Sequence, residues 1–281
     1  MKLRNFTRLV FSNFASSAGA VLTVLMITIA LAAPLIAPFD PSVQDTSRRL
    51  EGPSREHLLG LDDLGRDVLS RIIYGAQVSL RVGFSVVFLA STIGIALGAI
   101  AGYFGGKVDT LVMRVSDILL AFPGILLAIA LVAVLGPSLN NVILALSTIG
   151  WVGYARLVRG QVLKVREMEF VTAAKALGAK SHRVILRHVL PNVINPVIVM
   201  ATLGLAGAIL AEAALSFLGL GVQPPTPSWG AMLTAGRRYL GLANHLAIYP
   251  GIAIMLAVMG LNFLGDGLID ALDPKYRKLM K

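Results

Sequence analysis

The chain has 281 residues, of which 56% are hydrophobic and 14% charged, with a net charge of +10 and no cysteine. A mean hydropathy of +0.77 is more than a water-facing surface tolerates and excludes an ordinary soluble domain. Without cysteine there are no disulfides, thiolate metal sites or cysteine nucleophiles, and the basic excess is read through its placement, because spanning proteins concentrate Lys and Arg in short cytoplasmic loops.

Six stretches, residues 18–38, 82–103, 111–135, 142–158, 194–220 and 246–268, are apolar enough, and about long enough, to cross ~30 Å of hydrocarbon as helices. This predicts one all-α integral membrane domain over residues 1–281 with six transmembrane helices. The first stretch follows Lys2, Arg4 and Arg8, and Leu31-Ala32-Ala33 imitates a signal cleavage site. The apolar run continues to Pro38, longer than a signal core, which favours a retained anchor.

Between the first two spans, residues 39–81 form an external loop with a short amphipathic helix through Val68, Ile72 and Ile73. Its acidic stretch, Asp62, Asp63, Arg66 and Asp67, is a candidate contact for an external binding protein; the alternative is an interfacial helix that merely caps the bundle. In the second span Gly94, Gly98 and Gly102 recur every four residues, which puts three positions without side chains on one face and marks a packing seam. Pro123 interrupts the third span, and Arg114 and Asp117, three apart near the cytoplasmic end of it, are placed to pair on one helical face, either as a structural pair or as part of a pathway or interface. Pro196 opens the fifth span and is expected to bend it. Glu212, the sole acidic residue deep in that span, is costly there unless it meets water, protein or a partner. It either lines a pathway or interface, or marks an earlier end to the span.

Charge counting gives the orientation. With both termini cytoplasmic, the inner segments (residues 1–17, the link around Lys107, residues 156–192 and the tail 269–281) hold 17 of the 25 Lys and Arg. The outer segments hold the remaining 8, accompanied by seven carboxylates between Asp40 and Asp67. That asymmetry fits the positive-inside rule.

Residues 167–191, EMEFVTAAKALGAKSHRVILRHVLP, carry the most information. Phe170, Ala174 and Leu177 recur at helical spacing, and Gly178 stands where a helix end wants positive φ. Ser181 is placed to cap a second helix, Ile185 and Val189 share its face, and Pro191 is expected to stop it. Three readings compete for the resulting elbow. A nucleic-acid helix-turn-helix would have to straddle a groove with both ends tethered to membrane spans. A loop serving only topology needs neither paired alanines nor a helix-ending glycine. A docking element uses all of these features, with small Ala173 and Ala174 admitting a partner's backbone.

The pattern Ala173-Ala174, Gly178 and Leu190-Pro191 resembles the cytoplasmic coupling motif of ATP-binding-cassette importer permeases. Thr172 stands at the family's usual first glutamate and His188 at its later isoleucine, while Glu169-Phe170-Val171 and residues 187–192 resemble the dipeptide and oligopeptide branch. Residues 59–71 (LGLDDLGRDVLSR), 101–106 (AGYFGG), 216–221 (SFLGLG), Pro224-Pro225 with Trp229-Gly230, and Gly265-Asp266-Gly267 followed by residues 270–274 are similar to blocks of that branch. Ile269 replaces a residue that is commonly basic there.

The resemblance implies a type I importer permease fold and a coupling segment comprising Glu169, Phe170, Ala173, Ala174, Gly178, Leu190 and Pro191. It also implies a homologous second permease, two ATPase subunits that bind ATP and Mg, an external solute-binding protein, and a place in the bacterial inner membrane. This chain itself would carry no cofactor and no catalytic residue. The solute would be a dipeptide or oligopeptide, with glutathione or nickel as alternatives.

Other signals point away from chemistry in this chain. The nearest approach to a phosphate loop, residues 101–108, lacks the leading glycine and the Ser or Thr after Gly106-Lys107. His57, His182, His188 and His245 have no metal-ligand spacing, and neither HExxH nor GxSxG occurs. A secondary transporter would need midplane ion sites and an internal repeat, and a membrane enzyme would need a catalytic cluster; the sequence offers none of these.

Overall fold

The structure, a computed structural model, describes residues 13–272; Lys2, Arg4 and Arg8 and the tail from residue 273 onward lie outside them. Helix α1 spans Phe14–Leu31, with the Asn13 side chain accepting from the Ala15 N–H, and α2 is the short turn Ala33–Ile36. There follow α3 (Val68–Phe104), α4 (Gly106–Leu120), α5 (Gly124–Leu135), α6 (Leu139–Val165), α7 (Glu169–Ala176), α8 (Ser181–Val184), a π turn at Ile185–Val189, α9 (Leu190–Phe217), α10 (Trp229–Arg237) and α11 (His245–Leu272). Among the described residues the only β feature is an isolated bridge between Leu61 and Asp67. Within these residues five helices are long and apolar enough to span a membrane, six when α4 and α5 count as one broken span.

Two boundaries differ from the sequence reading, while the interruption expected at Pro123 is present. The short external helix is no separate element: α3 runs unbroken through 37 residues, so the preceding loop ends at Asp67. No proline falls in that stretch, and the Asp67 carboxylate caps its first turn by accepting from the Ser70 N–H, so nothing stops helix propagation. The third span is turned by 85° between α4 and α5, where Pro123 lacks the N–H that would continue the ladder. Helix α6 continues to Val165, so the loop expected from residue 156 begins only at Arg166.

The glycine interval on α3 is the tightest seam of the bundle. A Cβ on Gly94 would lie 2.7 Å from the Trp151 carbonyl oxygen, one on Gly98 3.0 Å from Ala155 Cα, and one on Gly102 2.9 Å from Val162 Cβ. Between apolar spans there is no hydrophobic driving force, so close backbone approach and dispersion hold the helices together. Val158 and Val162, fully buried, fill the hollows these glycines leave. A second seam, not anticipated, joins α1 to α11: Gly260 would place a Cβ 2.9 Å from Leu22 Cβ, and Gly267 one 2.6 Å from Ser16 Cβ. The first apolar stretch is thus an integral part of the bundle.

Candidate functional site

The elbow between α6 and α9 grows directly from the α3–α6 core. Arg166 donates from Nη1 to the Gly102 carbonyl at 2.9 Å and from Nε to Glu167 at 2.8 Å, which ties the elbow's entry to the end of α3. Helix α7 has Glu169 in its first turn and Lys175 in its last, both favourable to the helix dipole, and the Lys175 ammonium lies 5.1 Å from the centre of the Tyr103 ring. The turn after α7 closes as a Schellman motif. Gly178, at φ +81°, donates to the Lys175 carbonyl, and Ala179 donates to that of Ala174.

The face of α7 that is buried differs from the one the spacing suggested. Val171 and Ala174 turn inward, and Val171 joins Val184, Val189, Val158 and Val162 in one continuous core. Phe170 and Leu177 do not accompany Ala174: they stand exposed with Met168, Ala173 and Leu186. A short helix has a stripe too narrow to cover both faces with this chain alone, so one apolar face is left open. Two further details are corrected. Ser181 is the first residue of α8 rather than its cap, a place taken by Lys180 without a side-chain bond. Pro191 does not stop the second helix, because the π turn carries Leu190's N–H back to the Ile185 carbonyl and lets the chain pass straight into α9.

Beside the core on the same helices lies an almost wholly apolar cavity of about 460 Å³. Val86 and Ala90 of α3, Ile125 of α5, Ile149 and Tyr154 of α6, and Gly207 of α9 line it. The Tyr154 hydroxyl donates to the Met200 carbonyl across a long 3.4 Å. Glu212 is not on this wall. It is fully buried in α9, accepts from the Ser216 hydroxyl at 2.6 Å, and lies near Ser228, where the chain turns into α10. It therefore meets protein, and the span runs on past it to Phe217.

Arg114 and Asp117 do not pair. Arg114 is exposed, and Asp117 instead accepts from Arg156 of α6 at 2.5 Å. One turn further along α6, Arg159 embraces Asp109 with two bonds, one of them 2.6 Å from Nη2 to Oδ2. Sequence reasoning missed both contacts, since the partners lie 39 and 50 residues apart and meet only through the crossing of two helices.

At the opposite end of the bundle the residues proposed for an external contact are largely turned inward. Asp62 accepts from the Leu64 and Arg66 N–H groups and from Arg66 Nε at 2.7 Å, with Arg71 at 3.4 Å. Asp67 bonds His57 Nδ1 at 2.9 Å and the Ser70 hydroxyl at 2.8 Å. Asp62, Arg66, Asp67 and Arg71 are all buried, so only Asp63 keeps part of its side chain in the open. Two exposed acids on this loop, Asp40 and Asp45, are held below the ordinary carboxylate range, first of all by the hydroxyls of Ser42 and Ser47. Trp229 of α10, buried, donates to the Ile72 carbonyl at 2.9 Å and pins the 218–244 region to the start of α3.

Residues 94–278 match the model of the binding-protein-dependent transport system inner membrane component, and residues 3–53 match the N-terminal TM domain of oligopeptide transport permease C. The chain belongs to this permease family. It is 50% identical over 94% of its length to the dipeptide transport system permease protein DppC of Alkalihalophilus pseudofirmus, covering 87% of that protein. It is 47% identical over 92% of its length to the glutathione transport system permease protein GsiD of Escherichia coli, covering 86% of that one. Among solved structures, an inward-facing MetNI methionine ABC transporter chain is similar with a TM-score of 0.55 at 20% identity, over 72% of this chain and 96% of that one.

The fold is thus that of an ABC importer permease, and the permease is a multi-pass inner-membrane protein. Members of the family are transport subunits: ATP hydrolysis resides in a separate ATPase, and a solute-binding protein completes the system.

Proposed function

We propose that this permease imports short peptides, paired with a homologous second permease, driven by two ATPase subunits that bind ATP and Mg, and fed by an external solute-binding protein. The elbow end and both termini face the cytoplasm, in keeping with 17 of 25 basic residues on that side. The observation that carries this reading is the exposed apolar face of α7, with Met168, Phe170 and Leu177 in the open above a core continuous with the spans. An ATPase groove covering that face can push or pull on α6 and α9 together, because Val171, Val184 and Val189 leave no slack beneath it. ATP-driven closure of the ATPases then tips the paired bundles between outward and inward access.

The solute class follows the relatives, one named for dipeptides and one for glutathione, itself a short peptide. The apolar cavity of about 460 Å³ has room for side chains of that size and makes few polar demands on them.

The test is ATP-dependent uptake of labelled dipeptide, glutathione and nickel by vesicles holding the whole transporter, with and without Gly178→Leu in this chain. No Cβ neighbour lies within 4 Å of Gly178, but its φ of +81° disfavours any side chain. The substitution therefore strains the elbow by about 1–2 kcal/mol without disturbing the spans. Insertion is expected to persist while peptide uptake is uncoupled from ATP hydrolysis. Unchanged uptake, or uptake of nickel alone, overturns the reading.

A further inference from the structure

Helix α4 is seated unlike any other long helix of this permease. Ser116 is its one fully buried residue, and Val112 and Leu119 lean half-buried on the α3–α6 core, while Leu111, Val115 and Ile118 point outward. Two ion pairs to α6 supplement that thin apolar contact. Arg159 grips Asp109 with two parallel bonds, a geometry that fixes orientation as well as distance, and Arg156 holds Asp117 at 2.5 Å. The two acids lie towards opposite ends of α4, so together they set both its position and its tilt.

What lies beyond each helix gives the pairs a purpose. Helix α6 runs on from Arg159 to Val165 and straight into the elbow. Helix α4 ends at the corner through Pro123, where the chain turns by 85° into α5, and Gly124 and Ile125 just past that corner line the apolar cavity. An element attached by charge at its flank and free on its outer face moves with whatever holds its charges.

We propose that Asp109, Asp117, Arg156 and Arg159 are positioning residues that clamp α4 to α6, so that force arriving at the elbow shifts the Pro123 corner in the cavity wall. The clamp rests on the import reading above and adds to it the path by which the elbow reaches the pathway. Partly exposed ion pairs suit this task, being directional yet weak enough to yield at about 0.2–1 kcal/mol each.

The test uses the complete transporter in vesicles and reads peptide transported per ATP hydrolysed. Asp109→Asn and Arg159→Gln are expected to leave assembly and ATP hydrolysis in place and to lower that ratio roughly two- to fivefold, the range of a partly exposed pair. The exchanged pair, Asp109→Arg with Arg159→Asp, is expected to recover most of it. Should the Asp109 variants fail to assemble, Asp117→Asn decides, because its pair is half exposed and packs against little.

A second readout uses the absence of native cysteine. Spin labels at Leu111→Cys and Lys164→Cys are expected to keep a constant separation through the ATP cycle, and to lose that constancy with Asp109→Asn. An unchanged transport ratio in the single variants overturns the clamp, as does an exchanged pair no better than they are, or a label separation that varies in the otherwise native chain. If the native transporter hydrolyses ATP but moves no peptide, the solute assignment falls instead, and the label separation still decides the clamp.

Discussion

At the loop end of this permease Asp62, Arg66, Asp67 and Arg71 are buried, Asp62 pairing with both arginines and Asp67 with His57, whereas at the elbow end Met168, Phe170, Leu177 and Leu186 stand in the open. Charges inside and apolar groups outside invert the usual arrangement at both ends, for different reasons. The loop end spends its charges on itself, bracing the long segment between α2 and α3, whose own regular structure is one 3-10 turn at Thr46–Arg48 and the bridge between Leu61 and Asp67. The elbow end leaves apolar surface unused by this chain, and such a face is stable in water only when something covers it. One end is complete within the chain, and the other, on the function proposed above, is half of an interface.

Three substitutions break or sharpen that contrast. Asp62→Ala removes the carboxylate that pairs with two buried arginines and accepts from two backbone N–H groups, and an uncompensated buried charge costs about 3–5 kcal/mol. Thermal unfolding in detergent is expected to show a marked fall for the permease on its own, before any partner is added; an unaltered midpoint means the loop end is not self-braced. Phe170→Asp places a charge on the exposed face of α7 instead. The thermal midpoint of the isolated permease is expected to hold, since surface changes cost little, while affinity for the ATPase falls by about 2 kcal/mol, roughly 30-fold, as for an interface anchor. Titration of the purified ATPase measures this, and equal affinity would mean that the face is covered by something else. The smallest effect belongs to Tyr154→Phe, midway between the ends. Its hydrogen bond to Met200 is long, so stability is expected to change by about 0.5 kcal/mol and uptake hardly at all.

Some of this arrangement was legible in the residues. Four-residue glycine spacing located the Gly94, Gly98 and Gly102 face, and the structure lays it against α6. Gly178 ends α7 at positive φ, as its position between two periodic runs suggested. The reading failed where a residue's partner is distant in sequence. Arg114 and Asp117 are neighbours on one helix, but Asp117 faces α6 and takes Arg156. Asp62, Arg66 and Asp67 read as an exposed acidic patch, and only the folding back of the loop onto the start of α3 buries them.

Local chemistry therefore determined what could be decided within a turn or two of chain: which stretches are apolar enough to span, where glycine permits close approach or a left-handed turn, and which short segment has the makings of a docking elbow. The tertiary structure alone decided which face of that elbow stays open, which acid meets which arginine, and that the third span breaks by 85° at a corner in the cavity wall. The physical reason is range. Backbone preference and hydropathy act on neighbouring residues, whereas burial and ion pairing depend on where other helices cross, and periodicity carries no record of those crossings.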